Sequence, residues 1–520
     1  MSAAAVPSSA GLRPSVTSGC TLAELVDDRS DALALDAAGV GTTRVTGVTL
    51  DSRAVRDGDL YAALPGSRAH GAQFAVAARD LGAVAVLTDA AGRDQVRAAG
   101  VDLPVLLAGD PRGVLGAVAA EVYGRPAADL ALLGVTGTNG KTTTTFLMDA
   151  VLRANGVTTG LIGTVETRVG DERLRSVRTT PEAPDLHALL AAMRERGVQV
   201  CSMEVSSQAL AQHRVDAAVV EVAGFSNFSR DHLELHGDMA TYLAAKELLL
   251  TPEHSGRAVV VVDDDGTRTA AGRARVPVTT LSARRDAGTD WVVTGRQPRE
   301  GGTDFELCSR DGRRLALRCP LPGEFNVMNA ALAAVMLLEH GLTEQQVAHG
   351  LRHAGGVPGR MERVGDPTRG PLAVVDYAHT PDAVTAALQT LRPSVEGRLV
   401  VVLGAGGDRD PDKRPIMGAA AARAADVVVV TDDNPRSEDP AAIRAAVLAG
   451  ARQAAAPGVE VIEVADRRQA IREGARRAGR PGDVLLVAGK GHEPGQEIAG
   501  VVHPFDDREE LAAALAEVVS

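Results

Sequence analysis

Residues 130–144 read Leu-Ala-Leu-Leu-Gly-Val-Thr-Gly-Thr-Asn-Gly-Lys-Thr-Thr-Thr. An apolar run enters a glycine-rich turn ending in Gly140-Lys141-Thr142, and helically spaced apolar residues follow at Phe146, Leu147, Ala150 and Val151. Strand, loop and helix form the context that a phosphate-binding loop requires. Backbone N–H groups across Gly137, Thr138, Asn139, Gly140 and Thr143 can converge on phosphate oxygens, and the helix start adds a favourable partial charge. Lys141 is expected to reach the terminal phosphates and the Thr142 hydroxyl to meet Mg²⁺. The spacing is not the generic one. Five residues before Gly140 stands Val135; Gly134 falls one too early, and Gly137 is extra. A chance Gly-Lys-Thr in a surface turn is the bland alternative, and the flanking elements speak against it.

The rest of the chain bounds what this loop can serve. A length of 520 residues suggests about three domains. Aromatics are only 2%, so Ala, Val and Leu must build the cores. A net charge of −12 argues against a general nucleic-acid binder. The four cysteines, Cys20, Cys201, Cys308 and Cys319, contain no Cys-x-x-Cys pair, so neither a zinc site nor a disulfide framework is suggested. The apolar runs at 259–262 and 427–430 are too short to span a bilayer, so no membrane insertion is expected. Residues 1–19 are small or polar, without the apolar core of a signal peptide, and read as a disordered leader. A cytoplasmic monomer acting on small molecules is the expectation.

Residues 20–122 read as a small α/β domain, with a helix start at Thr21, a strand over 45–50 and a buried strand over 83–87. Asp51-Ser52-Arg53 and the loop Pro65–Gly71 specify no chemistry on composition alone. Residues 123–357 hold the phosphate loop and more. Thr179-Thr180-Pro181 is expected to open a helix with proline near its start. A strand over 198–203 ends in Glu204, and an acid there is a usual Mg²⁺ partner. The window Phe225–Gly237 packs Arg230, Asp231, His232, Glu234 and His236 together, as a metal or phosphate shell would. A helix through Tyr242–Glu247 carries Lys246. Residues 258–320 read as strands and hairpins, with a turn at Asp311-Gly312. The stretch 321–329 then opens a long Ala/Leu helix.

Residues 358–520 alternate strands near 372–376, 398–403, 426–431, 459–464 and 484–488 with helices. That pattern predicts a doubly wound, largely parallel sheet, whose ligands bind beyond the carboxyl ends of its strands. The unusual residues occupy those loops: Gly404–Asp410, Thr431–Glu438 and Gly489–Glu493. Gly404-Ala405-Gly406 lacks the final glycine of a dinucleotide fingerprint in register, so a nicotinamide site is rejected.

Together these stretches resemble the Mur ligases, specifically the MurE-type branch that adds the third residue of the peptidoglycan stem peptide. The resemblance rests on Gly134–Thr143, Thr179–Pro181, Glu204–Ser207, Asn227–Gly237, Tyr242–Lys246, Gly323–Asn329, Gly359–Arg363, Asp376–Pro381 and the three C-terminal loops, in family order. A weaker match at Asp51-Ser52-Arg53 reaches the first domain. The resemblance implies an α/β protein of three domains: a small uridine-binding domain over 20–122, a phosphate-loop ATPase domain with a mainly parallel central sheet over 123–357, and a Rossmann-like amino-acid-binding domain over 358–520. It implies that ATP phosphorylates the D-Glu carboxylate of UDP-N-acetylmuramoyl-L-Ala-D-Glu, and that an amine then attacks the acyl phosphate. For Mg²⁺, Glu204 and His232 match ligands beside Thr142, and Lys246 matches a lysine carried as a carbamate; with Lys141 these form the expected catalytic set. Asn329 and Arg360 match adenine and phosphate contacts, and Asp376 a ribose contact. Ser52 and the Ser67-Arg68-Ala69 loop match the uridine site; Thr179, Thr180, Ser206, Gln212 and Arg214 match the muramoyl-dipeptide site. Arg409, Asp433, Asn434, Pro435, Arg436, Gly489 and Glu493 match the amino-acid site, with Arg436 in the form that goes with meso-2,6-diaminopimelate rather than lysine. Glu234 and Leu250 depart from the common Asp and aromatic. Folylpolyglutamate synthase is the nearest rival, and it lacks the Asp433–Arg436 motif and the long first domain. A nucleotide-gated module without chemistry is the rival from another class.

Overall fold

The computed structural model describes residues 8, 9, 11–27, 29, 31–37, 39–285, 287–299 and 301–519. Three sheets organise the chain. In the first, the strands Ala34–Leu35, Val105–Leu107, Ala85–Thr88, Asp59–Ala62 and Gly47–Thr49 lie side by side in that order, the last four parallel.

The second sheet has eleven strands. At its centre the phosphate-loop strand Ala131–Thr136 lies parallel between Val200–Glu204 and Val220–Phe225. Helices cover both faces. Lys141–Ala154 and Glu324–His340 pack on one, Ala183–Glu195 and Met239–Glu247 on the other. This is why the inner strands are apolar on both sides, as in the run from Ala258 to Val261, rather than alternating. The helix Glu324–His340 buries nearly every side, which its Ala/Leu composition permits.

The third sheet orders its strands Glu362–Val364, Leu372–Asp376, Val484–Ala488, Leu399–Leu403, Val427–Val430 and Glu460–Glu463, all parallel but the first. The strand latest in sequence lies between the first two parallel ones. Cores fill both faces. Among the described residues, no helix is long and apolar enough to cross a membrane.

Three expectations are corrected. The helix after Thr179–Pro181 begins at Ala183, with Glu182 as its N-cap residue and Pro184 as the early proline; Thr180 is kept outside it by donating to the Glu204 carbonyl at 2.7 Å. The region 258–320 is not all hairpins: Ser255–Val261 and Val278–Ser282 are parallel strands joined by the helix Asp265–Arg273, and the antiparallel strands start at Trp291. The expected leader disorder falls partly on residues 1–7 and 10, which lie outside the described residues. The described remainder is held. Arg13 Nη2 donates to Asp59 Oδ2 at 2.8 Å, and the Ser15 N–H donates to Glu195 at 2.8 Å. Asp59 is 1% exposed, so Arg13 neutralises a carboxylate that would otherwise be buried unpaired.

Candidate active site

The phosphate loop follows its strand directly. Gly134 is a strand residue, packed against Val220. Gly137 takes the role the generic spacing gives to an earlier glycine: its φ is +142°, and a Cβ there would meet Ser226 Oγ at 2.0 Å. Gly140 has φ +88°, with Asn329 Oδ1 where a Cβ would point. The loop is braced by the end of the neighbouring strand. Asn227 Oδ1 accepts from the Asn139 N–H at 2.9 Å, and Ser226 Oγ donates to the Asn139 carbonyl at 2.6 Å. Asn227 lies in the motif Asn227–Gly237, whose spacing alone gives it no role.

Lys141 Nζ donates to the Gly137 and Thr138 carbonyls, both at 2.9 Å. Thr142 Oγ1 donates to Glu204 Oε1 at 3.0 Å and accepts from Arg360 Nη2 at 2.8 Å. Thr164 holds Glu204 from the other side, by its N–H at 2.7 Å and its hydroxyl at 3.1 Å. Lys246 is buried, with Nζ 2.8 Å from the Gly137 carbonyl and 4.7 Å from the Tyr242 ring centre. Burial, and then the charge of Lys141, push its amine well below the ordinary lysine range. Thr142 and Glu204 thus offer hard oxygens side by side, and His232 Nδ1 is buried without a hydrogen bond, 3.7 Å from Glu234 Oε1. This donor set fits a small hard cation. Among the described residues, no three His, Cys, Asp or Glu side chains gather closely enough to hold one unaided.

The second sheet and the third meet here. A cleft of about 440 Å³ is lined by Thr138–Thr142, Thr179, Thr180, Glu204, Ser206, Arg214, His232, Lys246 and Arg360, and also by Arg409, Asp433, Asn434, Arg436, Gly489 and Glu493. Residues more than two hundred positions apart therefore line one cleft. Asp376, buried behind it, accepts from the Met361 N–H at 2.7 Å. Gln212 Oε1 accepts from Arg214 at 2.6 Å without itself facing the cleft. Ser52, Ser67, Arg68 and Ala69 stand apart on the first domain; the last three are exposed in a loop pinched by the Pro65–His70 bridge.

Arg436 has φ +53° and donates to the Gly407 carbonyl at 2.6 Å, with Nε 3.5 Å from Glu497. Gly489 has φ +119°, and a Cβ there would lie 2.4 Å from Asp433 Oδ2. Burial alone would raise Asp433, but Lys490 and Arg467 hold it below the usual carboxylate range. Sequence reasoning missed Tyr377, Lys413 and Lys490. The Tyr377 ring lies 4.5 Å from the Arg360 guanidinium, and its hydroxyl is 3.4 Å from Glu493.

A phosphate loop on one domain faces an ion-pairing pocket on a Rossmann-like domain across a shared cleft; this is the layout of an enzyme that couples nucleotide chemistry to a second polar reactant. Three family profiles match: the Mur ligase family catalytic domain over 44–123, the Mur ligase middle domain over 135–337 and the Mur ligase glutamate ligase domain over 359–491. The chain is 52% identical over 506 residues to a UDP-N-acetylmuramoyl-L-alanyl-D-glutamate–2,6-diaminopimelate ligase of Streptomyces coelicolor, covering 97% of this chain and 98% of that one. It is 47% identical to a UDP-N-acetylmuramyl-tripeptide synthetase of Leifsonia xyli, covering 98% and 99%. A solved UDP-N-acetylmuramoyl-L-alanyl-D-glutamate–2,6-diaminopimelate ligase superposes with a TM-score of 0.66 at 32% identity, covering 96% and 99%. The chain belongs to the Mur ligase family.

Proposed function

We propose that this protein is an ATP-dependent ligase that joins meso-2,6-diaminopimelate to the D-Glu carboxylate of UDP-N-acetylmuramoyl-L-Ala-D-Glu. The observation that carries the reading is the single cleft, in which Lys141, Thr142 and Glu204 stand opposite Arg409, Asp433, Arg436 and Glu493. A rival folate ligase also takes an incoming amine, but it would leave the Asp433–Arg436 motif and the first domain without a use. A binding module without chemistry would have no need of the second pocket.

A carboxylate is a poor acyl donor, so its oxygen attacks the terminal phosphorus of ATP and ADP departs. The amine nitrogen then attacks the acyl carbon, phosphate leaves, and the nitrogen gives up a proton. Lys141 and Arg360 oppose the phosphate charge during both steps, and cations held at the cleft stabilise charge as it develops. Mg²⁺, when bound, neutralises phosphate charge, and Thr142, Glu204, His232 and a carbamate on Lys246 are the residues assigned to hold it. The loop residues Gly137–Thr143 cradle the phosphates, with Asn329 and Asp376 at the nucleoside end. Thr179, Thr180, Ser206, Gln212 and Arg214 take the muramoyl dipeptide, and Ser52 with Ser67, Arg68 and Ala69 takes the uridine. Residues 20–122, 123–357 and 358–520 serve uridine, ATP and amine respectively, in a cytoplasmic monomer.

The test mixes purified protein with ATP, the UDP-muramoyl dipeptide and several diamines, and weighs the product. A mass increase of one diaminopimelate residue, with ADP and phosphate formed in step, is expected. Phosphate release that ignores either acceptor would count against the ligase reading.

A further inference from the structure

Lys490 has no part in the chemistry above. Its side chain is fully buried, behind a cleft wall to which its neighbours Gly489 and Glu493 contribute and it does not. A buried ammonium is costly unless its protons are used. Here Nζ donates to Asn434 Oδ1 at 2.9 Å and to Glu493 Oε2 at 3.2 Å. Asn434 Nδ2 donates to the same Oε2 at 2.8 Å, and its Oδ1 also accepts from the Glu497 N–H at 3.0 Å.

These bonds close a ring. Asn434 cannot flip, because its NH₂ would then face two donors. One oxygen of Glu493 is tied down, and the other, Oε1, accepts only a long bond of 3.4 Å from the Tyr377 hydroxyl; both residues line the cleft. The charges also matter. Lys490 and Arg467 are set among Asp433, Glu493 and Asp507, and Arg436 also acts on Asp433. Asp433 and Glu493 line the cleft, where an entering ammonium would meet two carboxylates.

We propose that Lys490 is a positioning residue for amine recognition: by fixing Asn434 and one oxygen of Glu493, it presents the other oxygen, beside Asp433, to an ammonium of the incoming diamino acid. In this arrangement Asn434 is a brace: its Oδ1 accepts twice, and one of its two amide N–H bonds is spent on Glu493. The inference rests on the reading of this pocket as the amine site.

The experiment is steady-state kinetics of Lys490→Met with each of the three substrates varied in turn. The KM for diaminopimelate should rise about tenfold or more, the scale of one lost charge-assisted hydrogen bond. The KM values for ATP and the UDP-muramoyl dipeptide should stay within about twofold. In a Glu493→Gln background the lysine change should have a much smaller effect, since the carboxylate it holds is gone. Should Lys490→Met fail to fold, Lys490→Gln carries the same expectation at about threefold. An unchanged KM for diaminopimelate, an equal rise for all three substrates, additive effects in the double variant, or failure of both variants to fold would overturn the proposal. Wild-type protein that does not use diaminopimelate would instead overturn the functional reading beneath it.

Discussion

Lys413 of the C-terminal domain reaches Asp231 of the central domain at 3.3 Å, and both side chains are buried. Beside them Arg230 donates to Asp410 at 2.9 Å. Both pairs come from segments that flank the cleft, His232 on one side and Arg409 on the other. Burial alone would raise Asp231, but His232, Lys413 and His379 together hold it below the ordinary range. Breaking a buried pair from one side leaves an uncompensated charge and costs roughly 3–5 kcal/mol. Lys413→Met should therefore open the two domains and lower kcat/KM by about a hundredfold or more, with a larger radius of gyration by small-angle X-ray scattering. Unchanged scattering and turnover would remove the pair from any role in closure.

Lys141→Ala should abolish nearly all ligation while the thermal unfolding midpoint stays close to wild type. The amine touches only two loop carbonyls, so its removal opens no core. Losing one charge-stabilising donor costs on the order of 2.7–4 kcal/mol, or about 10²–10³ in kcat. Near-normal turnover would discard the phosphate-loop assignment.

Lys246 is expected to carry a carbamate. Its burial favours an uncharged amine, the form that adds carbon dioxide. Lys246→Ala should be inactive and regain part of its activity with short carboxylic acids. An active complex in which crystallography finds an unmodified amine away from metal would rule the carbamate out.

Chelation with EDTA should stop phosphate release, and Mg²⁺ should restore it; Glu204→Gln should raise the Mg²⁺ concentration needed for half-maximal rate. Full activity in chelator would remove the metal assignment of Thr142, Glu204 and His232.

Arg436→Ala should erase a preference for diaminopimelate over lysine, measured by direct competition. The two amines differ by a distal carboxylate, and a site built around such a group can reject an analogue lacking it by roughly 10⁴-fold. Equal use by the wild type, or an unchanged preference in the variant, would refute Arg436 as the selector.

Much of this was legible in the sequence because it is local. The strands expected near 372–376, 398–403, 426–431, 459–464 and 484–488 are found within a residue or so at each end, since short β-branched runs such as Val427–Val430 favour buried strands. The strand-loop-helix order around Lys141 is equally local. What lay beyond reach is pairing across distance. Nothing in the spacing of Arg230 and Asp410, or of Lys490 and Asn434, says that they meet, because a charge in a sequence carries no direction. The described part of the leader departs from the expected disorder for the same reason: the partners of Arg13 and Ser15, Asp59 and Glu195, are remote, and the composition is that of a free tail. The helix start at Ala183 is not legible because Thr180, in the preceding bend, bonds to the carbonyl at the end of the strand Val200–Glu204.

The position of Val484–Ala488 between Leu372–Asp376 and Leu399–Leu403 has a consequence for biosynthesis. A ribosome releases this strand after all its parallel neighbours, so the nascent C-terminal domain waits with its two central strands unbridged. The loop Gly489–Glu493 arrives with that strand. The pocket therefore stays incomplete until residues 484–493 have emerged, and a chain that stops before them holds an intact phosphate loop facing a pocket without Gly489 and Glu493.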